Sequence, residues 1–499
     1  MSANGGRNVL FVVLDTVRRD RLGPYGYDRP TTPAIDAFAE TATVVEEAVA
    51  PAPWTLPVHA SMFTGRYPSE HGADQQRPYL RTDQTLAGAL AATGMHTACF
   101  SSNAWITPYT GVTQGFAEVD NFFEVLPGGI GGTPLRWVWE QLHQRPRLRT
   151  VAQQLVAFGN RIHERTARGD RGSSKTPAAV ERAVATMQRE DSWFVFLNLM
   201  DAHLPYHPPE PFRSRFAPAV DPDAVCQNSK EYNAGVRAID AAEWAALGGL
   251  YDAAIASMDA AVGQLLTAAD AHSAEPPIVV IAADHGELLG EHELFGHEFA
   301  VYDPLVHVPL LIRHPELSAG RFEGTVELLD LYHTLLADRP VDAAVDPTRC
   351  MTDTRYRRFD GVPPGERDPG QHGDPTTAYV EYAQPVIELA QLERRAAAAG
   401  VTIDADHRAR ASMRAGRRPD AKLVTSSLHA AAGFDLNADP QEAVPLPVDD
   451  PRVAEVRADL ETFAATVGPL DATGADTPQD PLAPMDAAAE QRLRELGYL

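Results

Sequence analysis

The chain has 499 residues, 44% of them hydrophobic, and a formal net charge of -25 from 43 Lys and Arg against 68 Asp and Glu. That length exceeds one small core and predicts a large α/β domain with a smaller partner, while the acidic balance excludes general nucleic-acid binding. Lysine occurs only at Lys175, Lys230 and Lys422; such a surface suits a cytoplasm at molar salt, where the Debye length shrinks to roughly 3 Å, so the chain reads as halophilic, with an acidic-surfaced mesophile as the competing reading.

Met1 to Arg7 is polar, with no charged-then-apolar leader, and no apolar run approaches membrane-spanning length, so the expected compartment is the cytoplasm. Asn8 to Leu14 is a continuous, β-branched apolar run ending in Asp15. This is the pattern of a buried parallel strand that delivers a polar residue at its carboxyl end. Two later runs share the pattern: Trp193 to Met200 ends at Asp201, and Ile278 to Ala283 ends at Asp284, His285 and Gly286. Ligands of open α/β sheets bind outside the carboxyl ends of the strands, so the three runs predict three contributions to one site. Each Asp alone would more often be a turn or helix cap.

Between the first two runs lies Pro53 to Pro68, with Thr55 ahead of a proline, a histidine and a small-residue run that predicts a helix start. A hydroxyl there is by residue preference an N-cap. It is also where unpaired N–H groups and the helix dipole favour an anion or an alkoxide. Helical spacing marks Thr85 to Thr93, Trp244 to Ala269 and Val326 to Leu336, and Met95 to Phe100 reads as a strand. Alternation of strands and helices predicts a mostly parallel, doubly wound sheet.

Residues 128–190 are locally basic, with Arg136, Arg145, Arg147, Arg149, Arg161, Arg165, Arg168 and Arg171. They read as a helical insertion, either a solvated lid or a cap that draws anionic substrates or lipid headgroups towards the site. The domain reading is 1–345 for the catalytic α/β unit and 346–475 for a smaller C-terminal domain with strands at Thr377 to Tyr382 and Ala421 to Thr425. A linker and closing helix fill 476–499. Cys99, Cys226 and Cys350 are too scattered for a disulfide framework or a zinc-thiolate site.

Asp15, Asp284 and His285 at strand ends, with Thr55 at a helix start, are hard oxygen donors plus one imidazole. That set suits a divalent cation (Zn, Mn, Ca or Mg), which lowers the pKa of an attacking hydroxyl and neutralises phosphoryl or sulfuryl oxygens. Histidines cluster at His203, His207, His292 and His297; they could hold a second ion or protonate a leaving oxygen. No serine-hydrolase elbow, P-loop or dinucleotide fingerprint is present.

In order along the chain come Asn8 to Asp15 with Arg18-Arg19-Asp20, Thr32-Pro33-Ala34-Ile35-Asp36, Thr55 to Pro68 with Glu70-His71-Gly72, and His203-Leu204-Pro205-Tyr206. They continue with Tyr251-Asp252 and Asp259, Asp284 to Glu287, Gly290-Glu291-His292, Val308-Pro309-Leu310, Glu327 to Leu336, Asp439 to Glu442 and Leu496 to Leu499. On these motifs the chain resembles the sulfatase family of the alkaline-phosphatase superfamily. The resemblance implies an alkaline-phosphatase-like three-layer α/β/α sandwich with a mostly parallel sheet, and a smaller C-terminal α+β domain with an antiparallel sheet. It implies that Asp15, Asp284 and His285, with Thr55, are metal ligands, and that His203 contacts the substrate anion. His297 stands where sulfatases have a sulfate-holding lysine, and Thr55 where they have the Cys or Ser that becomes formylglycine.

The family signature Cys/Ser-x-Pro-x-Arg is here Thr55-Leu56-Pro57-Val58-His59, the second Asp of the usual pair is Thr16, and Ser101-Ser102-Asn103 replaces a lysine-bearing motif. A direct Thr nucleophile resembles the phosphate branch of the superfamily, with Asn103 as an oxyanion donor beside His203 and His297. The expectation is a hydrolase or transferase with one or two divalent ions, acting on phosphate or sulfate esters of a small molecule, lipid headgroup or glycan, phosphate favoured. The alternatives are a sulfuric ester hydrolase without formylglycine and a binding protein with an eroded site.

Overall fold

The computed structural model describes residues 6–121, 175–337, 339–352 and 377–470. Most of the basic stretch within 128–190, and the linker and closing helix of 476–499, lie outside the described residues.

The strands follow the chain as β1 (Val9–Leu14), β2 (Thr43–Val49), β3 (His96–Ser101), β4 (Glu118–Asn121), β5 (Trp193–Leu199) and β6 (Ile278–Ala282). After them come a short hairpin of β7 (Leu288–Leu289) and β8 (Phe295–Gly296), then β9 (Leu310–Arg313) and β10 (Gly320–Glu327). The main sheet has the order β10-β2-β9-β6-β1-β5-β3-β4. Only β9 runs against its neighbours, pairing antiparallel with β2 and β6. Every residue of β1, β5 and β6 is buried. These strands lie at the centre with layers on both faces, which is why they read as unbroken apolar runs.

One group of helices packs around the long Ala241–Ala271 helix, which contacts Pro33–Ala39 and Thr176–Arg189. Asp240 caps it by accepting the Glu243 N–H at 2.9 Å. A second group packs Thr55–Thr64 against Leu86–Ala92 and Asp330–Leu336. This is the three-layer α/β/α arrangement of alkaline-phosphatase-like proteins.

The helical pattern seen from Val326 begins later than its periodicity suggests. Val326 and Glu327 end β10, and the helix starts at Asp330. Glu327 is held in the strand by burial, accepting from the Tyr67 hydroxyl at 2.8 Å and from the Tyr379 N–H at 2.8 Å.

A second, antiparallel sheet joins β11 (Ala378–Tyr382), β12 (Met413–Arg417), β13 (Ala421–Ser426) and β14 (Ala432–Asp435) in sequence order. The Ala454–Val467 helix packs on it, with Phe463 stacked on Tyr379 at 4.1 Å. The two sheets are tied by a buried ionic cluster. Arg417 bridges Glu47 at 2.6 Å and Asp303 at 3.0 Å, while Lys422 pairs with Asp303 at 2.9 Å and Glu442 at 2.8 Å. No helix among the described residues is long and apolar enough to cross a membrane.

Candidate metal centre and active site

At the end of β1 the chain places Asp15 and then forces Thr16 into the left-handed region, at φ 60°. A β-branched residue takes that conformation only when its surroundings over-determine it. Here Tyr251 donates to the Thr16 carbonyl at 2.6 Å, the Thr16 hydroxyl donates to the Ala202 carbonyl at 2.8 Å, and the Thr16 N–H reaches Asp284 Oδ1 at 3.3 Å. The strained turn therefore joins the ends of β1 and β6. At the end of β6, Gly286 passes so close to Pro304 that a Cβ would lie 2.0 Å from its carbonyl oxygen. Only glycine permits that approach.

Asp15, Asp284 and His285 are fully buried, and one donor atom from each lies within 4.8 Å of the others. Asp15 Oδ2 accepts from Asn103 at 2.7 Å and from Asn198 at 3.0 Å. Asp284 Oδ1 accepts the His285 N–H at 2.9 Å. Asp15 Oδ1 and Asp284 Oδ2 have no hydrogen-bond partner among the described residues. Buried carboxylate oxygens left unpaired are costly unless a cation takes them. The His285 Nδ1–H donates to the Gly286 carbonyl at 3.0 Å, which turns the lone pair of Nε2 towards the carboxylates. The donor chemistry and the orphaned oxygens fit a divalent cation. Burial, reinforced by Asp15, raises the Asp284 carboxyl well above the ordinary range, and burial lowers His285. Desolvation is the larger cause of both shifts, and the neighbouring Asp15 for Asp284 and His297 for His285 add to it.

Thr55 is the first residue of its helix, not its cap; Trp54 holds the cap position, without a side-chain bond. All ten residues of Thr55–Thr64 are buried, and the helix ends at Gly65 with φ 67°. The Thr55 side chain is therefore released from the capping role. Its Oγ1 lies 3.4 Å from His285 Nε2 and accepts from Asn103 Nδ2 at 3.2 Å. One amide thus spans the hydroxyl and Asp15. His59, one turn along, donates from Nδ1 to the Thr55 carbonyl at 2.9 Å and approaches Asp284 Oδ2 at 3.7 Å. Burial lowers its pKa to about 4, so at neutral pH it is an uncharged imidazole in the place of the family's arginine.

The ring of His297 lies 4.6 Å from that of His285 and 5.2 Å from that of His203. Its Nδ1 donates to Glu287 at 2.9 Å, and Tyr206 donates to the other oxygen of Glu287 at 3.3 Å. Burial opposes the charged imidazolium, but the Glu287 carboxylate outweighs it and lifts His297 to about 9. Burial lowers His203, whose Nδ1 faces the Leu204 carbonyl at 2.6 Å.

Of the residues singled out in the sequence, Asp15, Thr55, Asn103, His203, Asp284, His285 and His297 meet in this one region. Two other expectations need correcting. Asp201 does not join the carboxylates; it accepts from the Thr176 hydroxyl, and β5 contributes Asn198 from inside the strand instead. His292 stacks flat on Tyr302 at 3.6 Å rather than on the other imidazoles. Sequence reading also passed over Glu287, Glu298 and Lys230. Lys230 pairs with Glu298, next to His297, and with Glu388 at 2.6 Å. A cavity of about 360 Å³ opens at the far end of the same helix, around Gly65, Arg66, His333 and Arg349. It lies nine residues, or about 14 Å of helix, from Thr55, and its size does not make it the centre of the chemistry.

The mixed eight-stranded sheet, with carboxylates beyond its strand ends, and the second antiparallel sheet make an alkaline-phosphatase-like fold. Residues 7–337 match the Sulfatase family, and the chain belongs to that family. It is 23% identical to the uncharacterized sulfatase YidJ of Escherichia coli (strain K12) over 353 residues, 66% of this chain and 67% of that one. It is 25% identical to the ulvan-active sulfatase of Formosa agariphila over 329 residues, 62% of this chain and 57% of that one. Among solved structures, the phosphonate monoester hydrolase of Agrobacterium radiobacter superposes with a TM-score of 0.63 at 20% identity, covering 93% of this chain and 95% of that one.

Proposed function

We propose that the protein is a metal-dependent hydrolase or transferase of phosphate or sulfate esters in which Thr55 is the nucleophile, with phosphate chemistry favoured. The observation that carries this is the position of the Thr55 hydroxyl. It is freed from capping, bonded to Asn103 at 3.2 Å, and set beside Asp15, Asp284 and His285 at the N-terminal end of a buried helix. A threonine in the signature position speaks for direct attack, because the Cys or Ser from which formylglycine is made is absent.

Asp15, Asp284 and His285 would hold a divalent cation, which supplies Lewis acidity to the attacking hydroxyl and to the ester's anionic oxygens. The Asn103 amide fixes the direction of the Thr55 hydroxyl and offers a donor where negative charge develops. The first N–H groups and the dipole of the Thr55–Thr64 helix favour the same charge. In line attack forms a bond from Thr55 Oγ1 to phosphorus or sulfur and breaks the bond to the leaving alcohol oxygen. His297, held by Glu287 through Nδ1, keeps its other nitrogen for that oxygen and can return a proton to it, with His203 alongside. Water or a second alcohol then takes the group from Thr55.

The names of the relatives and of the structural neighbour bracket the substrate class between sulfate and phosphonate esters. The test is to offer aryl sulfate, aryl phosphate and aryl phosphonate monoesters to the metal-loaded protein and to its chelator-treated form. Turnover of a phosphate or phosphonate ester, lost on chelation and in Thr55→Ala, supports the reading. Turnover of aryl sulfate alone, or full activity in Thr55→Ala, overturns it.

A further inference from the structure

A small cavity adjoins Thr55 and His297, and its remaining walls are not needed for the ester chemistry. They are Trp54, Gln75, Trp105, Glu298, Tyr382 and Glu388. The cavity is about 10 Å³, room for one water-sized group. Trp54 and Trp105 meet edge to face at 5.5 Å and 82°, giving the cavity an aromatic side. Gln75 is held in the wall by its Oε1, which accepts the N–H groups of Ile387 and Glu388 at 3.0 and 3.2 Å and pins the start of the Val386–Ala398 helix.

The other side sets two buried carboxyl groups, Glu298 and Glu388, against one lysine among the described residues. Glu298 is 4% exposed and Glu388 6%. His297 is matched by Glu287 at 2.9 Å. Among the described residues Lys230 is the one cation shared by Glu298 and Glu388; burial raises the Glu388 carboxyl, and a second cation beside it would let both carboxyls ionise. Glu298 Oε2 has no hydrogen-bond partner among the described residues. Buried carboxyl groups short of a cation partner, beside aromatic side chains, are the chemistry of cation recognition. The size of the cavity selects a primary ammonium over a bulkier quaternary one.

We propose that this cavity receives a primary ammonium group of the substrate, so that the preferred substrates are aminoalkyl esters. The inference rests on Thr55 being the reacting group, because that places the ester centre at the cavity mouth. An amino group a few atoms from the ester oxygen would enter between the tryptophans and the two glutamates. Its charge would complete the pairing that Lys230 leaves unfinished, and its N–H groups would satisfy Glu298 Oε2.

Equilibrium binding tests this without turnover. Titration calorimetry on the full-length, metal-loaded protein compares 3-aminopropylphosphonate with butylphosphonate, which are matched in length and have no ester bond to cleave. The expected result is at least about tenfold tighter binding of the amino compound, with the ratio cut to about threefold or less in Glu388→Gln. Equal affinity for the two in the wild-type protein overturns the inference and leaves the Thr55 reading intact. Binding of neither overturns both. The wild-type ratio decides the matter even where Glu388→Gln fails to fold.

Discussion

Asp15 and Asp284 place two carboxylates in one buried site, and their removal has a consequence opposite to that of most core substitutions. With donor atoms within 4.8 Å of one another, two ionised carboxylates here repel by about 3.5 kcal/mol at an effective dielectric of 20. Asp284→Asn removes that repulsion while conserving shape. Its carbonyl oxygen can still accept the His285 and Thr16 N–H groups at 2.9 and 3.3 Å, and its amide can donate to His285 Nε2, which lies 3.5 Å from the present Oδ2. The metal-free Asn variant should therefore melt a few °C above the metal-free wild type, since a gain of about 1–3 kcal/mol is spread over a large unfolding entropy. Saturating divalent cation should reverse the order, because only the wild type gains binding free energy. Thermal melts of both proteins, with chelator and with Zn, Mn, Ca or Mg, measure all four states. A metal-free Asn variant that melts below the wild type, together with a wild-type melt indifferent to every cation, would refute the electrostatic reasoning.

Two further outcomes follow from single contacts. Asn103→Ala deletes the donor shared by Thr55 Oγ1 and Asp15 Oδ2; kcat for the best ester should fall about 10²–10³-fold, with the melting temperature falling by only a few °C. His71 is half-buried, with Nδ1 accepting the Ala73 N–H at 3.1 Å and Nε2 against Ser61 at 3.0 Å. Burial lowers its pKa to about 3, so between pH 6.5 and 3 the unfolded chain binds the proton that the folded chain refuses. Stability should therefore fall on acidification through that window, by up to about 1.4 kcal/mol per pH unit from this group, and denaturant melts of His71→Gln should show a shallower pH slope.

The parts of this molecule that were legible in the sequence are those where local pattern and burial agree. β1, β5 and β6 are buried on both faces, so their apolar runs stand out, and a parallel strand must hand its next residue to the site edge. Asp15 and Asp284 were visible for that reason. β2, β10 and β12 were not, because polar residues interrupt them. Glu46 and Glu47 sit inside β2, the first half of β10 is largely exposed, and β12 carries two arginines. Arg417 is buried there only because Glu47 and Asp303 reach it from distant segments. The same limit hid Lys230, Glu298 and Glu388, whose pairing joins three separate stretches of chain. Asn198 was hidden differently, as one polar residue in an apolar strand that turns towards Asp15.

Attack of the Thr55 hydroxyl on the ester centre is tested most directly by a covalent trap. Metal-loaded protein is mixed with an activated aryl phosphate or phosphonate ester, quenched in acid during turnover, and digested for peptide mass spectrometry. The account predicts a single phosphoryl or phosphonyl adduct on the peptide containing Thr55, absent from Thr55→Ala and from the chelator-treated protein. Steady turnover with no adduct at Thr55, in samples where Thr55→Ala turns over equally fast, would contradict it.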